Sequence, residues 1–286
     1  MTRRESAMTA SERGGGEVRP AFARIVCGVD GSRSGRVAAE QAIALCGAGT
    51  ALSFVCVREA RGAGATRQAT ITTERADSAL AEALEAAHDA RIDATAEVLP
   101  GHDPRSTLVE VSSRADLLVV ASHGGSRAGG IALGSTATAA VHRARVPVLV
   151  ARPTPDGTRV TDSILVATDG SPDAARAVDL TARIARAAQA RVYVLSVDPG
   201  PHGDPSQIAV DTVDLTAALG REPTSLRLSG HPDERIVEIA VNERVTLVAV
   251  GSRGLTGIRA LGSVSERVAH RAPCSVLVAR TKGDRT

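Results

Sequence analysis

Two stretches of the chain carry glycine and serine at spacings suited to holding an anion: ASHGGSRAGGIALGS at 121–135 and GSRGLTGIRALGS at 251–263. In each, a small residue ends an apolar run, a glycine follows three positions later, and a Gly-Ser pair opens the next amphipathic segment. Gly134-Ser135 and Gly262-Ser263 therefore stand where a helix begins, with its first amides unpaired and its dipole adding partial positive charge. Glycine lets backbone approach phosphate oxygens with no Cβ in between, and a serine hydroxyl adds a donor. The plainer account is a tight strand-to-helix turn in which Ser135 and Ser263 are N-caps. One such loop alone does not choose between the two.

Asp30 in VDGS and Asp169 in TDGS each close an earlier apolar run. One reading sets the carboxylate at the mouth of the same crevice, facing a base or ribose. The other is turn-and-cap chemistry, with Ser171 as N-cap and Pro172 at the first helical position. His123 and Arg253 occupy matching loop positions within reach of a phosphate, although a solvated loop residue accounts for either. The other histidines, His142 and His270 among them, show no metal-ligand spacing. There is no GxSxG, no HExxH and no GxGxxG after a strand, so no catalytic constellation emerges. The single lysine, Lys282, lies in the C-terminal tail, which excludes a Walker-type loop with its phosphate-bound lysine.

Composition narrows the classes further. Thirty-four basic residues nearly balance 32 acidic ones, and Phe22, Phe54 and Tyr193 are the only aromatics. No basic excess or stripe is visible and there are too few rings for a base-stacking surface, so nucleic acid is not an expected partner. Cys27, Cys46, Cys56 and Cys274 are scattered without a CxxC pair, which fits free thiols in a reducing cytoplasm. No stretch reaches 18 consecutive apolar residues, and the N-terminal segment lacks an apolar h-region. A cytoplasmic location without membrane contact is expected, with residues 1–20 as a polar, Gly-rich disordered tail.

The elements that must position these residues are written twice. IVCGVDGSRSGRVAAEQAIALC (25–46) aligns with ILVATDGSPDAARAVDLTARIA (164–185) at an offset of 139, and VHRARVPVLVAR (141–152) aligns with AHRAPCSVLVAR (269–280). A period this long marks a duplicated domain. The expected boundaries are 21–153 and 163–281, joined by a linker at 154–162, with a short tail at 282–286. Apolar runs at 23–29, 51–57, 92–99, 116–122 and 146–152 read as strands, with helix patterns at 34–46, around 70–90, at 106–114 and at 135–144. Copy two repeats the order with strands near 163–168, 191–197, 224–229, 246–250 and 275–280. From Asp to loop glycine it is nine residues shorter, a loss assigned to the second helix region. Near-continuous Val, Leu and Ile strands between helices predict an α/β fold of two doubly wound, Rossmann-like parallel-sheet domains in tandem. Ligands of such sheets sit beyond the strand carboxyl ends, where both DGS turns and both glycine loops fall.

A strand ending in Asp-Gly-Ser, a late G-x-x-G loop with Gly-Ser, a helix and a closing V-L-V-x-R strand together resemble the universal stress protein family, here as a tandem two-domain member. The resemblance covers about 21–153 and 160–281. It implies five strands per domain in the order 3-2-1-4-5, and in many members ATP binding through the pattern G-x2-G-x9-G-[S/T]; other members lack the pattern and bind none. It also implies adenine contacts from Asp30 and Asp169, and an apolar wall from Val57 and Val197. The phosphates would then follow Ala121, Gly124, Gly134 and Ser135 in copy one, and Gly251, Gly254, Gly262 and Ser263 in copy two. Mg²⁺ would arrive with the phosphates. Pairing through the last strands is implied within the chain, with room for a homodimer.

Both copies depart from that pattern. Copy one has Ala121 in place of the first glycine but keeps nine residues between Gly124 and Gly134. Copy two keeps Gly251 but has only seven residues between Gly254 and Gly262, a length suited to ADP or AMP. The expected function is a cytosolic stress-response protein that binds ATP or a related adenine nucleotide as a regulator, with at most slow hydrolysis. The alternatives are an interaction module working through dimer surfaces without nucleotide, and a nucleotidyl-transfer or ATP-hydrolysing enzyme.

Overall fold

A computed structural model describes residues 20–59, 73–101, 103–124, 133–198, 213–254 and 262–281. The tails expected at 1–20 and 282–286 fall almost wholly outside these residues, as do the interiors of both glycine loops.

Copy one runs β1 (Arg24–Gly28), α1 (Arg33–Ala44), β2 (Ala51–Glu59), α2 (Thr73–Asp89), β3 (Ala94–Gly101), α3 (Pro104–Ser112), β4 (Leu117–Ala121), α4 (Ser135–Arg143) and β5 (Val148–Ala151). Copy two runs β6 (Ser163–Ala167), α5 (Pro172–Ala188), β7 (Arg191–Asp198), α6 (helical residues 213–219), β8 (Thr224–Ser229), α7 (Pro232–Asn242), β9 (Leu247–Gly251), α8 (Ser263–Arg271) and β10 (Ser275–Ala279). Local chemistry sets several of these starts. Ser32 caps α1 by accepting from the Gly35 amide, and Ser171 caps α5 by accepting from Ala174, with Pro172 next in line. The third helix begins at Pro104, two residues before the start predicted from periodicity, because Asp103 caps it through the Arg105 amide.

The strands form one sheet of ten in the order β3-β2-β1-β4-β5-β10-β9-β6-β7-β8. Each copy contributes the doubly wound order 3-2-1-4-5 with parallel neighbours. The two halves join where β5 meets β10 antiparallel, in register Val150↔Val276, Leu149↔Leu277 and Val148↔Val278. The last strands therefore pair within the chain.

Helices cover both faces. The apolar layer under α1, α2, α5 and α6 runs from Phe22 and Phe54 through Leu149 and Leu277 to Leu180 and Leu215. The layer under α3, α4, α7 and α8 runs from Val57 and Leu108 through Val150 and Val276 to Ile236. Both layers cross the β5–β10 seam without a break, which is why the central strands read as unbroken Val/Leu runs. Arg152, just after β5, is 6% exposed and reaches across the seam to donate to the carbonyls of Cys274 and Ala269 in copy two. Arg280, its counterpart after β10, donates to the carbonyl of Val141 in copy one. Burial lowers the pKa of both guanidinium groups, that of Arg280 to about 10. Gln41 of α1 closes the seam by donating to the Arg152 carbonyl at 2.6 Å and accepting from the Ser275 hydroxyl at 2.8 Å.

Leu149 and Leu277 face each other at the middle of the seam with no exposed surface. Replacing either with alanine should lower unfolding free energy by about 2–5 kcal/mol. The double variant should fall short of the sum because the two share one cavity. Urea denaturation of the four proteins measures both.

Candidate functional site

Three adjacent carboxyl ends meet in each copy: β2, β1 and β4 in copy one, and β7, β6 and β9 in copy two. Val57, Asp30 and Ala121 stand at or just beyond the ends of the first set, and Val197, Asp169 and Gly251 at those of the second. The DGS turns need their glycines, because Gly31 and Gly170 hold φ of 68° and 78°, a region side chains rarely adopt. Each turn folds its aspartate back, so that Asp30 Oδ1 accepts from the Ser32 amide and Asp169 Oδ1 from the Ser171 amide, both at 3.0 Å.

The other oxygen of each carboxylate faces the glycine loop. A Cβ placed on Gly124 would lie 3.3 Å from Asp30 Oδ2, and one on Gly254 only 2.7 Å from Asp169 Oδ2. Aspartate and loop glycine thus form a throat in both copies, and it is narrower in copy two. The base of each loop is tied shut by its own backbone: the Gly134 amide donates to the Ser122 carbonyl at 2.8 Å, and the Gly262 amide to the Ser252 carbonyl at 2.6 Å. The expected N-caps Ser135 and Ser263 are instead the first helical residues. Gly134 and Gly262 hold the cap positions, with extended backbone and no side-chain cap bond. The amides opening α4 and α8 thus have no side-chain acceptor at the cap.

Val57 is 3% exposed, in the apolar layer beneath α3, and Val197 packs at the edge of the same layer in copy two. His123 and Arg253, expected as solvated loop residues, are half-buried and each lies against a neighbouring polar side chain. His123 Nδ1 lies 3.0 Å from the Ser122 hydroxyl, and its Nε2 is buried without a hydrogen-bond partner among the described residues. Arg253 donates through Nε to Asp173 Oδ2 at 3.1 Å.

Asp173 gave no signal in the sequence beyond an acidic residue in a first helical turn. It is 3% exposed and accepts from the Ser252 hydroxyl at 2.6 Å, Arg253, the Thr281 amide at 3.0 Å and the Thr281 hydroxyl at 2.8 Å. Burial pushes its pKa up, but the donors from Ser252, Thr281 and Arg253 outweigh that and hold it below the ordinary carboxylate value. The group clamps the first turn of α5 to the loop base and to the residues after β10. Copy one has Ser34, His123 and Pro153 at the matching positions, so it has no such clamp. The first turn of α5 also presses on β9, where a Cβ on Gly251 would stand 2.6 Å from the Ala174 nitrogen. Copy one carries the methyl of Ala121 at this place.

The four cysteines are free, and burial raises their thiol pKa values: to about 11 for Cys46 and Cys56, about 12 for Cys274, and higher still for Cys27. Thiolate chemistry is suppressed at each. Among the described residues no three His, Cys, Asp or Glu side chains gather to hold a metal, and no helix is long and apolar enough to cross a membrane.

The family model "Universal stress protein family" matches residues 21–152 and again 161–280. The chain belongs to the universal stress protein family. A universal stress protein of Thermus aquaticus is 34% identical over 136 residues, 41% of this chain and 98% of that protein. One from Mycobacterium tuberculosis is 32% identical over 201 residues, 62% of this chain and 66% of the relative, so the match spans just under two thirds of that protein. A solved universal stress protein from Archaeoglobus fulgidus superposes with a TM-score of 0.73 at 23% identity, covering 91% of this chain and 99% of its own. That likeness bears out the tandem α/β architecture.

Two substitutions test the site's construction. Gly251→Ala should cost about 1–3 kcal/mol of stability, since the methyl must displace backbone, whereas Ala121→Gly should cost about 1 kcal/mol or less. Thermal unfolding of both variants compares them. Asp173→Asn should destabilise by about 1–3 kcal/mol at neutral pH by loosening charged hydrogen bonds. Because the folded pKa is lowered, this stabilisation is present above the unfolded carboxyl value of about 3.9 and is lost as pH falls through the folded value. The gap between wild type and Asp173→Asn in urea midpoints should therefore close as pH drops below about 4.

Proposed function

We propose that the chain is a stress-response regulator that binds ATP or a related adenine nucleotide at the strand ends of copy one. The observation that carries this is the α4 start, where the glycine-capped helix lacks a side-chain cap and lies beside the throat between Asp30 and Gly124. Amides and dipole suit phosphate there. Asp30 and Val57 suit the base and ribose, as the family resemblance implies for these positions. The narrow throat supports this reading, because a side chain at position 124 would fill the space between carboxylate and loop. Gly124, Gly134 and Ser135 would hold the phosphates, and Mg²⁺ would ride on them, supplying charge neutralisation.

Copy two is the weaker triphosphate site on this reading. Its loop is two residues shorter, its throat is tighter at Gly254, and Arg253 is engaged by Asp173. Gly251, Gly254, Gly262 and Ser263, with Asp169 and Val197, suit a diphosphate or monophosphate better. The same closed geometry favours a second reading for that half, as an interaction module working without nucleotide. Turnover, where present, would be slow hydrolysis, since the single lysine, Lys282, belongs to the C-terminal tail and neither glycine loop carries a phosphate-clamping one. The domain limits 21–153 and 163–281 and a cytoplasmic location complete the proposal.

Isothermal titration of the full chain with Mg-ATP tests it. Wild type should bind with one dominant site. Gly134→Val should weaken that site tenfold or more, while Gly262→Val should leave it within about twofold. A Cβ at Gly134 meets no atom nearer than 3.4 Å, so that variant should still fold. No heat at millimolar ATP would overturn the reading, and loss only in Gly262→Val would reverse the ranking of the copies.

A further inference from the structure

We infer that His270, a residue of copy two, positions the glycine loop of copy one, and that nucleotide occupancy of copy one therefore depends on the neighbouring copy's last helix. The occupancy part rests on the nucleotide reading above; the loop contact does not.

The contact is direct. The Leu133 amide, one residue before the Gly134 cap, donates to His270 Nδ1 at 3.3 Å. The next amide, Gly134, donates to the Ser122 carbonyl. Two consecutive amides at the exit of the loop are thus held by two different copies, and the direction of the α4 start follows from both. Leu133 is 6% exposed, and its side chain lies in the apolar layer shared with α8.

The meeting follows from topology. Because β5 and β10 run antiparallel, the carboxyl ends of copy one's strands lie beside the amino ends of copy two's. A helix that leaves the carboxyl end of β9 and returns to the amino end of β10 must finish there, and His270 is in its last turn. Arg152 then fixes the helix end by donating to the Ala269 carbonyl at 2.5 Å and the His270 carbonyl at 3.5 Å. That arginine follows β5 of copy one, so copy one holds the end of α8 and the end of α8 holds copy one's loop. At the far end of the same helix pair, His142 of α4 meets Glu266 of α8 through Nε2 at 3.3 Å. Acceptance at Nδ1 requires that the His270 ring be neutral with its proton on Nε2.

His270 is a positioning residue, and the matched substitutions are His270→Ala, which removes the acceptor, and His270→Asn, whose side-chain oxygen can replace Nδ1. In the nucleotide-free chain, NMR-detected hydrogen exchange at the Leu133 amide should quicken at least fivefold in His270→Ala and stay within twofold of wild type in His270→Asn. Titration with Mg-ATP should show affinity weakened about fivefold or more in His270→Ala and restored to within twofold in His270→Asn. Unchanged Leu133 exchange in His270→Ala overturns the contact. Quickened exchange with unchanged affinity overturns the dependence of occupancy on copy two, as does equal weakening by both substitutions. If wild type releases no heat with ATP, the nucleotide reading and the occupancy claim fall together, while the exchange measurement still decides whether His270 holds the loop.

Discussion

The antiparallel pairing of β5 with β10 is the constraint on which the rest of the molecule depends. It turns two five-stranded sheets into one of ten and makes both apolar layers continuous across the seam. Burying the seam on both faces leaves its polar groups to be satisfied locally, and Arg152, Gln41 and Ser275 do so from three different elements. The arginines after β5 and β10 exchange sides, each donating to carbonyls of the other copy's last helix. The buried guanidinium of Arg152 is satisfied there by the carbonyls of Cys274, Ala269 and His270. The pairing also decides which end of one copy lies against which end of the other, and so brings the end of α8 to the loop of copy one.

The two copies have diverged as sets of residues. In copy two, Ser252, Arg253 and Thr281 converge on the buried Asp173, whose Oδ2 accepts from Ser252 and Arg253 and whose Oδ1 accepts twice from Thr281. Copy one has Ser34, Ser122, His123 and Pro153 instead, with His123 turned toward the Ser122 hydroxyl. An aspartate introduced alone at position 34 would meet a serine at 122 but neither the arginine nor the threonine, and a buried carboxylate short of donors is costly. Each set is consistent only as a whole. The difference between Gly251 and Ala121 belongs to the same divergence, since α5 presses closer to its strand than a methyl permits.

Much of this was legible in the sequence because its signals are local. Unbroken apolar runs marked the strands, and their repetition marked the duplication. The DGS turns and glycine loops marked the carboxyl ends where Asp30 and Gly124, and Asp169 and Gly254, come together. Caps were legible in part, and the Gly-Ser pairs left two readings open. Ser171 with Pro172 was clear, but Ser135 and Ser263 proved to be first helical residues, because the glycine before each takes the cap dihedrals. The partners of Asp173 lie about 80 and 108 residues away, and Leu133 and His270 are separated by 137. No periodicity or spacing encodes such meetings. They follow from strand order and the sense of the seam, which the sequence suggested only through resemblance.

That sense has a geometrical consequence. Parallel strands within each half, reversed at the seam, place the starts of the two glycine loops, at Ala121 and Gly251, on opposite rims of one sheet. The strand-end openings beside Asp30 and Asp169 therefore face away from each other, on opposite sides of the sheet. The sheet is two-sided along its strand direction, with related but unequal strand-end crevices on its two rims.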